Sequence, residues 1–307
     1  MTALLEKLAR DHRLTREEYG QLLQLRPREL GILADRVRRD GFGTRVQLQG
    51  VLDISSICRF ACPLCGLGSG SCMRYRLRPR EIIDICEEAF AMDVGTIVLR
   101  SGFDGFYTDH MLCALLQKLR DHLPGCAIEL ALGERDRESL EQLYNAGAEG
   151  YRLGQETAVR SAFEALHPAE LSFDRRLHCL NELKDIGFRT GCGFLVGWPG
   201  QTEEELAREL KFLEEFQPDR VELVPLAGDP GLVDCLISVI RLMLPGARIT
   251  APGITGVLAG ADTVTVGLMP TQDAFPLCGG PRAEGPVTNA SLAALRRSLA
   301  EVGFEVL

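Results

Sequence analysis

The sequence predicts an α/β fold, a (β/α)8 TIM-type barrel preceded by a short helical extension. Three observations predict it. Short apolar, β-branched runs alternate eight times with helical patterns, and no linker, internal repeat or low-complexity segment interrupts them. Helix-ending turn signals recur at unit junctions, in Asp93-Val-Gly95, Asn145-Ala-Gly147 and Asp185-Ile-Gly187. Glycine and polar residues gather at the C-terminal ends of the runs, where barrel enzymes carry their sites.

The elements follow in order. Leu14-Thr-Arg-Glu-Glu18 opens a helix with Thr15 as its cap and acids in its first turn. A second helix runs over 27–39 and ends at Gly41-Phe-Gly43. These residues make up an N-terminal helical extension, 1–44, and 45–307 form the barrel and a C-terminal helix as one domain. The strand–helix pairs are 46–55 with 80–92, 96–101 with 109–122, 127–132 with 136–146 and 150–156 with 173–186. They continue as 190–196 with 203–216, 220–225 with 232–244, 248–251 with a short helical turn, and 262–268 with 290–302. The seventh unit is the shortest, so a six-unit partial barrel with an added C-terminal layer is the alternative count.

Composition narrows the function. At 307 residues, 46% hydrophobic and 25% charged, the chain reads as an ordinary globular protein. No segment approaches the roughly 20 apolar residues that span a bilayer, and the N-terminus lacks the apolar core of a signal peptide. An odd number of cysteines, 11, then points to reduced thiols and a cytoplasmic setting. A formal charge of -9 disfavours nucleic acid. The basic run Met73-Arg-Tyr-Arg-Leu-Arg-Pro-Arg80 reads as the lining or cover of an anionic site, or as a solvated face.

The most specific signal is Cys58-Arg-Phe-Ala-Cys62-Pro-Leu-Cys65, directly after the first strand. Three thiolates at this spacing suit three corners of a 4Fe-4S cluster whose fourth iron stays open to a ligand. A zinc site completed by Cys72 is the rival, although zinc modules typically use paired C-x2-C units and only Cys62 and Cys65 form one. Cys86, Cys113, Cys126, Cys179 and Cys235 lie in apolar periodic segments and read as core thiols, as does Cys192. The five histidines show no metal-ligand spacing, and neither Tyr107 nor Thr271 is assigned a role.

These motifs carry a resemblance. Asp53-Ile-Ser-Ser-Ile-Cys58, Cys65-Gly-Leu67, Arg74-Tyr-Arg76, Leu132-Gly-Glu134, Glu156-Thr-Ala158, Arg176-Leu-His-Cys-Leu180 and Val196-Gly-Trp-Pro-Gly-Gln-Thr202 resemble radical S-adenosylmethionine (SAM) enzymes. Within them the chain is similar to the branch of biotin synthase, methylornithine synthase and the FeFe-hydrogenase maturase HydE, and most to the HydE type. The resemblance implies one 4Fe-4S cluster on Cys58, Cys62 and Cys65, with SAM chelating the open iron. It implies one-electron cleavage of SAM to methionine and a 5′-deoxyadenosyl radical, fed by a low-potential donor such as ferredoxin or flavodoxin. Arg176 matches the arginine that pairs with the SAM carboxylate, and Glu156 the acid that accepts from the ribose hydroxyls. Ser101 and Gly102 match the strand edge that meets the amino group through backbone oxygen. Glu134 stands as a contact to SAM or substrate, or as a structural acceptor.

The chain also departs from the pattern. Phe103 stands where many relatives have an acid, with Asp104 one step later, and Leu64 replaces an aromatic before the third cysteine. Gly154 replaces an arginine two residues before the glutamate, which removes one anchor for an anionic substrate, while Arg152 lies on the same strand face. Only Cys278 remains in the C-terminal region, so no accessory cluster is expected. The expectation is a monomeric HydE-like enzyme in maturation of the FeFe-hydrogenase cofactor. The alternatives are a related enzyme for another small amino acid or metallocofactor precursor, and a non-enzymatic zinc or Fe-S carrier.

Overall fold

The structure is a computed structural model and describes residues 3–67, 74–226, 229–251, 253–268 and 287–306. Three helices come first, α1 (Ala3–Asp11), α2 (Arg16–Leu25) and α3 (Glu29–Phe42). α2 starts at the predicted cap, where the Thr15 hydroxyl accepts from the Glu18 amide and the Glu18 carboxylate accepts from the Thr15 amide. α3 runs three residues past the expected end and stops at Gly43, whose φ of +66° suits glycine.

The alternating part follows as β1 (Arg45–Ser55), α4 (Pro79–Ala91), β2 (Thr96–Ser101), α5 (Asp109–His122), β3 (Ala127–Ala131), α6 (Arg137–Asn145) and β4 (Gly150–Arg152). Next come α7 (Arg160–Leu166), α8 (Phe173–Ile186), β5 (Arg189–Cys192), β6 (Leu195–Val196), α9 (Glu203–Phe216), β7 (Arg220–Glu222) and β8 (Val224–Pro225). The chain continues with α10 (Pro230–Met243), β9 (Arg248–Ala251), α11 (Ile254–Leu258), β10 (Thr263–Gly267), α12 (Asn289–Glu301) and β11 (Glu305–Val306). α1, α7 and β11 are absent from the sequence reading.

Eight of these strands, β1, β2, β3, β4, β5, β7, β9 and β10, pair in parallel in that order, and β10 pairs back on β1 with Thr263 opposite Gln47. The sheet is therefore a closed (β/α)8 barrel and the six-unit alternative falls. Short β9 belongs to it because Arg248–Ala251 bonds neighbours on both sides. β6 and β8 pair beyond the ends of β5 and β7, so the fifth and sixth predicted strands are each split at the rim. Gly147 and Gly187 both end helices at φ +106° as the turn signals predict. At the other signal the left-handed residue is Asp93, at φ +64°, and not Gly95; an Asp tolerates that region through its short polar side chain.

The helical extension lies on the barrel's outer layer. Tyr19 of α2 is fully buried against α9 and donates to Glu214 at 2.7 Å. Five of the six predicted core thiols are buried, but Cys113 is only partly covered, since it stands between α5 and α6 with its sulfur near the Gln142 carbonyl. The barrel interior is polar for much of its height. Fully buried Glu129 there holds Arg152 at 2.7 Å, which also donates to Gln49 at 2.6 Å.

Candidate functional site

The end of β1 delivers the cysteine loop to the C-terminal mouth of the barrel. Ser55 Oγ donates to Asp104 at 2.6 Å and accepts from the Ile57 amide at 3.0 Å, so the strand turns sharply into the loop. Arg74 bridges the carbonyls of Ser56 and Leu67, tying the two ends of the loop together. Gly102 receives the loop at the end of β2. A Cβ there would stand 2.6 Å from the Cys58 Cβ and 2.8 Å from the Ile57 carbonyl oxygen, so only glycine lets the two segments approach.

Cys58, Cys62 and Cys65 are partly exposed, lie outside any disulfide and stand on the wall of a cavity of about 200 Å³. Burial, with Glu156 and the neighbouring thiols adding to it, pushes the Cys62 thiol up to about 12. Such a group becomes a thiolate only when a cation binds it. A donor set of thiolates alone suits iron-sulfur chemistry. Among the described residues no three His, Cys, Asp or Glu side chains converge as ligands to a single ion; in a cubane each thiolate holds its own iron. Cys72 and Cys278 lie outside the described residues, as does Thr271.

Two polar residues on the opposite wall face the triad. Arg176 sits in the first turn of α8 and is nearly fully buried, with Nε donating to Glu134 at 2.7 Å and a terminal nitrogen donating to the Gly154 carbonyl. Burial alone would lower its pKa, but Glu156 and Glu134 outweigh it, so the guanidinium is held as a fixed cation. Glu134 is not on the cavity wall; it stands behind Arg176 and lines an outer groove. Glu156 takes φ +66° just past β4, in the left-handed region that costs a non-glycine residue on the order of 1 kcal/mol. Its amide donates to the Gly193 carbonyl and its carbonyl accepts from the Leu195 amide where β5 passes into β6, and that pairing holds the conformation.

The predicted strand edge is present, and Ser101 and Gly102 line the cavity. The Gly102 carbonyl already accepts from the Ser101 hydroxyl at 2.7 Å and from the Asp104 amide at 2.8 Å. Asp104 does not replace the missing acid. It is buried, binds Arg76 through both oxygens at 2.7 and 2.9 Å and accepts from Ser55 and the Phe106 amide. Of the two readings of the basic run, the cavity lining falls and the solvated face holds: Arg74, Arg76, Arg78 and Arg80 are exposed and none lines the cavity, while Arg74 and Arg76 also brace the cysteine loop and Asp104. Tyr107 is also a strut, its one hydroxyl proton shared between the Ile54 and Leu77 carbonyls.

A second cavity, of about 160 Å³, continues into the barrel and shares Arg100, Arg152, Gly154 and Glu156 with the first. A Cβ at Gly154 would stand 3.6 Å from Glu156 Cγ, an ordinary contact, and Arg100, Arg152 and Arg220 all reach this interior, so it retains cations. Each is matched by an acid: Arg100 by Asp53 at 2.6 Å, Arg152 by Glu129 and Glu222, Arg220 by Glu129. Cys192 is both buried and on this wall.

Two residues escaped the sequence reading. His167, at the end of α7, lines the first cavity with Nε2 against the Glu156 carboxylate. Glu209, fully buried in α9, accepts from the Thr157 hydroxyl and the Ala158 amide, both at 2.6 Å. Neither lies in a motif, and each contact joins elements that only the fold brings together.

Residues 52–213 match the family model of the Radical SAM superfamily, which covers more than half of the chain. The chain is 35% identical to the FeFe-hydrogenase maturase subunit HydE of Thermotoga maritima over 282 residues, covering 86% of this chain and 80% of that protein. It is 28% identical to 3-methylornithine synthase of Methanosarcina acetivorans, covering 85% and 81%. The crystal structure of methylornithine synthase (PylB) shares the fold with a TM-score of 0.83 at 24% identity, covering 99% of this chain and 97% of that one. With a cysteine triad and a polar wall facing one cavity at the mouth of this barrel, the chain belongs to the radical SAM superfamily, whose cofactors are a 4Fe-4S cluster and SAM, in the branch shared by HydE, methylornithine synthase and biotin synthase.

Proposed function

We propose that this radical SAM enzyme acts as a HydE-type maturase in assembly of the FeFe-hydrogenase active-site cofactor. One observation carries the reading: the Cys58-Cys62-Cys65 loop, Arg176 and Glu156 share a single cavity that opens into an arginine-lined barrel interior. Similarity to HydE along most of both chains supports the choice of substrate.

In this reading Cys58, Cys62 and Cys65 would hold the 4Fe-4S cluster, and SAM would bind beside it in the same cavity. When bound, this cofactor pair supplies reductive cleavage of the sulfonium into methionine and a 5′-deoxyadenosyl radical. Arg176 pairs with the SAM carboxylate, and Glu134 and the Gly154 carbonyl hold the guanidinium in place. Glu156 accepts from the ribose hydroxyls. The Ser101–Gly102 edge addresses the amino group, and the interior beyond Gly154 takes the substrate. The reductant is a ferredoxin or flavodoxin, and the working unit is a monomer.

Anaerobically reconstituted protein with dithionite and SAM is expected to release 5′-deoxyadenosine, and its gene to restore hydrogenase activity in a host lacking HydE. A fully loaded protein that forms no 5′-deoxyadenosine overturns the radical chemistry. A second reading, an amino-acid substrate as in methylornithine synthase, is favoured by Gly154 and by the paired acids and arginines of the interior. It predicts 5′-deoxyadenosine without hydrogenase rescue. The carrier alternative falls with membership of an enzyme superfamily.

A further inference from the structure

His167 closes α7 at the rim of the first cavity, its ring buried and stacked on Phe163 with centroids 4.0 Å apart. Both ring nitrogens meet oxygen atoms. Nδ1 lies 2.8 Å from the Phe163 carbonyl oxygen, and Nε2 meets Glu156 Oε2. A carbonyl oxygen only accepts, so Nδ1 must carry a proton. The Nε2 contact then needs a second proton, because a bare ring nitrogen and a bare carboxylate oxygen both offer lone pairs and repel. With that proton on the ring, the hydrogen bond to Glu156 is charge-assisted, the stronger kind.

The neighbouring charges agree with a donor at this position. Two acids, Glu134 and Glu156, stand near Arg176, whose Nε is committed to Glu134 at 2.7 Å. A proton on Nε2 gives Glu156 Oε2 a hydrogen-bond donor. The backbone around Glu156 is fixed independently, since Glu209 reaches in from α9 to hold Thr157 and Ala158. Glu209 thus secures the turn, and His167 secures the carboxylate at the end of the side chain.

We propose that His167 is a positioning residue for SAM: by donating from Nε2 to Glu156 Oε2 it sets the plane of that carboxylate and turns its other oxygen toward the ribose diol. The proposal rests on the reading of Glu156 as the ribose acceptor. Loss of this donor loosens the orientation of the carboxylate, so that it meets the diol less often. The loss falls on nucleoside binding and spares cluster loading, since His167 touches no cysteine of the triad among the interactions of its ring.

Equilibrium dialysis against the anaerobically reconstituted enzyme tests it, with S-adenosylhomocysteine and its 2′,3′-dideoxy analogue as probes. His167→Phe keeps the stack on Phe163 and removes the donor, while His167→Gln keeps a donor near the Nε2 position. His167→Phe is expected to weaken S-adenosylhomocysteine about tenfold, the worth of one charge-assisted hydrogen bond, with iron content unchanged. His167→Gln is expected to recover most of that loss, and the dideoxy analogue to bind all three proteins alike. Wild-type affinity in His167→Phe, or an equal loss for both probes, overturns the role, because the ring then only packs. The ratio of the two probes is read within each variant, so a folding defect that weakens both cannot imitate the expected result. Glu156→Gln separates the two levels. If it retains the wild-type preference for the diol, the ribose reading itself fails; if it loses that preference while His167→Phe keeps it, only the role of His167 fails.

Discussion

Gly102 shows how tightly single residues constrain the site. Adding one methyl would place carbon 2.6 Å from the Cys58 Cβ and 2.8 Å from a backbone oxygen, and a backbone oxygen cannot swing away as a side chain can. Gly102→Ala is therefore expected to push the cysteine loop off the end of β2, at about 1–3 kcal/mol of overpacking, and to lose most of its iron after reconstitution. Gly95→Ala is the matched control, since a Cβ there meets nothing within 4 Å and the residue does not take positive φ. Iron and sulfide content per chain reads both. Equal loading of the two variants would show that the close approach does not matter. At this scale the triad was legible because cysteine spacing is local. Glu156 was legible only as part of a motif, and its left-handed backbone was not, since a glutamate carries no signal for positive φ.

Between elements, the loop after β4 depends on α9. Glu209 carries its carboxyl into the interior of the helix layer, and burial raises it from 4.5 to about 7, against the smaller opposing effect of the Thr157 and Ala158 hydrogen bonds. The folded pKa lies above the unfolded one, so the protonated acid favours the fold. That contribution is complete below about pH 4.5 and is lost as pH rises to about 7. Relative to Glu209→Gln, the wild type is expected to lose about 3 kcal/mol of stability across this window. Denaturant melts of the apoprotein at a series of pH values measure it; parallel pH profiles for the two proteins would refute the assignment. Helix starts such as Thr15 were readable because a cap and its partner lie three residues apart. Glu209 and Thr157 are 52 residues apart, and their contact exists only once β4 and α9 pack together.

For the whole molecule, closure of the barrel depends on the last strands meeting the first. Asp262 is fully buried just before β10 and accepts from Arg241 at 2.5 Å, from Arg248 at 2.8 Å and from the Ile249 amide at 2.8 Å. It ties α10 and β9 to the strand that closes on β1. Burial pulls Arg241 down to about 10, with Asp262 as the opposing partner that keeps it charged. Asp262→Asn leaves that guanidinium buried without a counter-charge, which costs about 3–5 kcal/mol. A drop of several degrees in melting temperature is expected, and an unchanged melt would place closure elsewhere.

The alternation of eight strands and helices, the helix caps and the cysteine spacing were determined by the sequence itself, because each is a pattern within a few neighbouring residues. Tertiary structure decided what those patterns could not express: that Gly102 carries the cysteine loop, that Asp104 and the arginines of the basic run are struts, and that the interior keeps three cations despite Gly154. It also decided that His167 and Glu209 converge on the loop of Glu156. The physical reason is range. Hydrogen bonds and steric limits act over a few ångströms of space, and in a barrel the atoms that close come from strands and helices far apart along the chain.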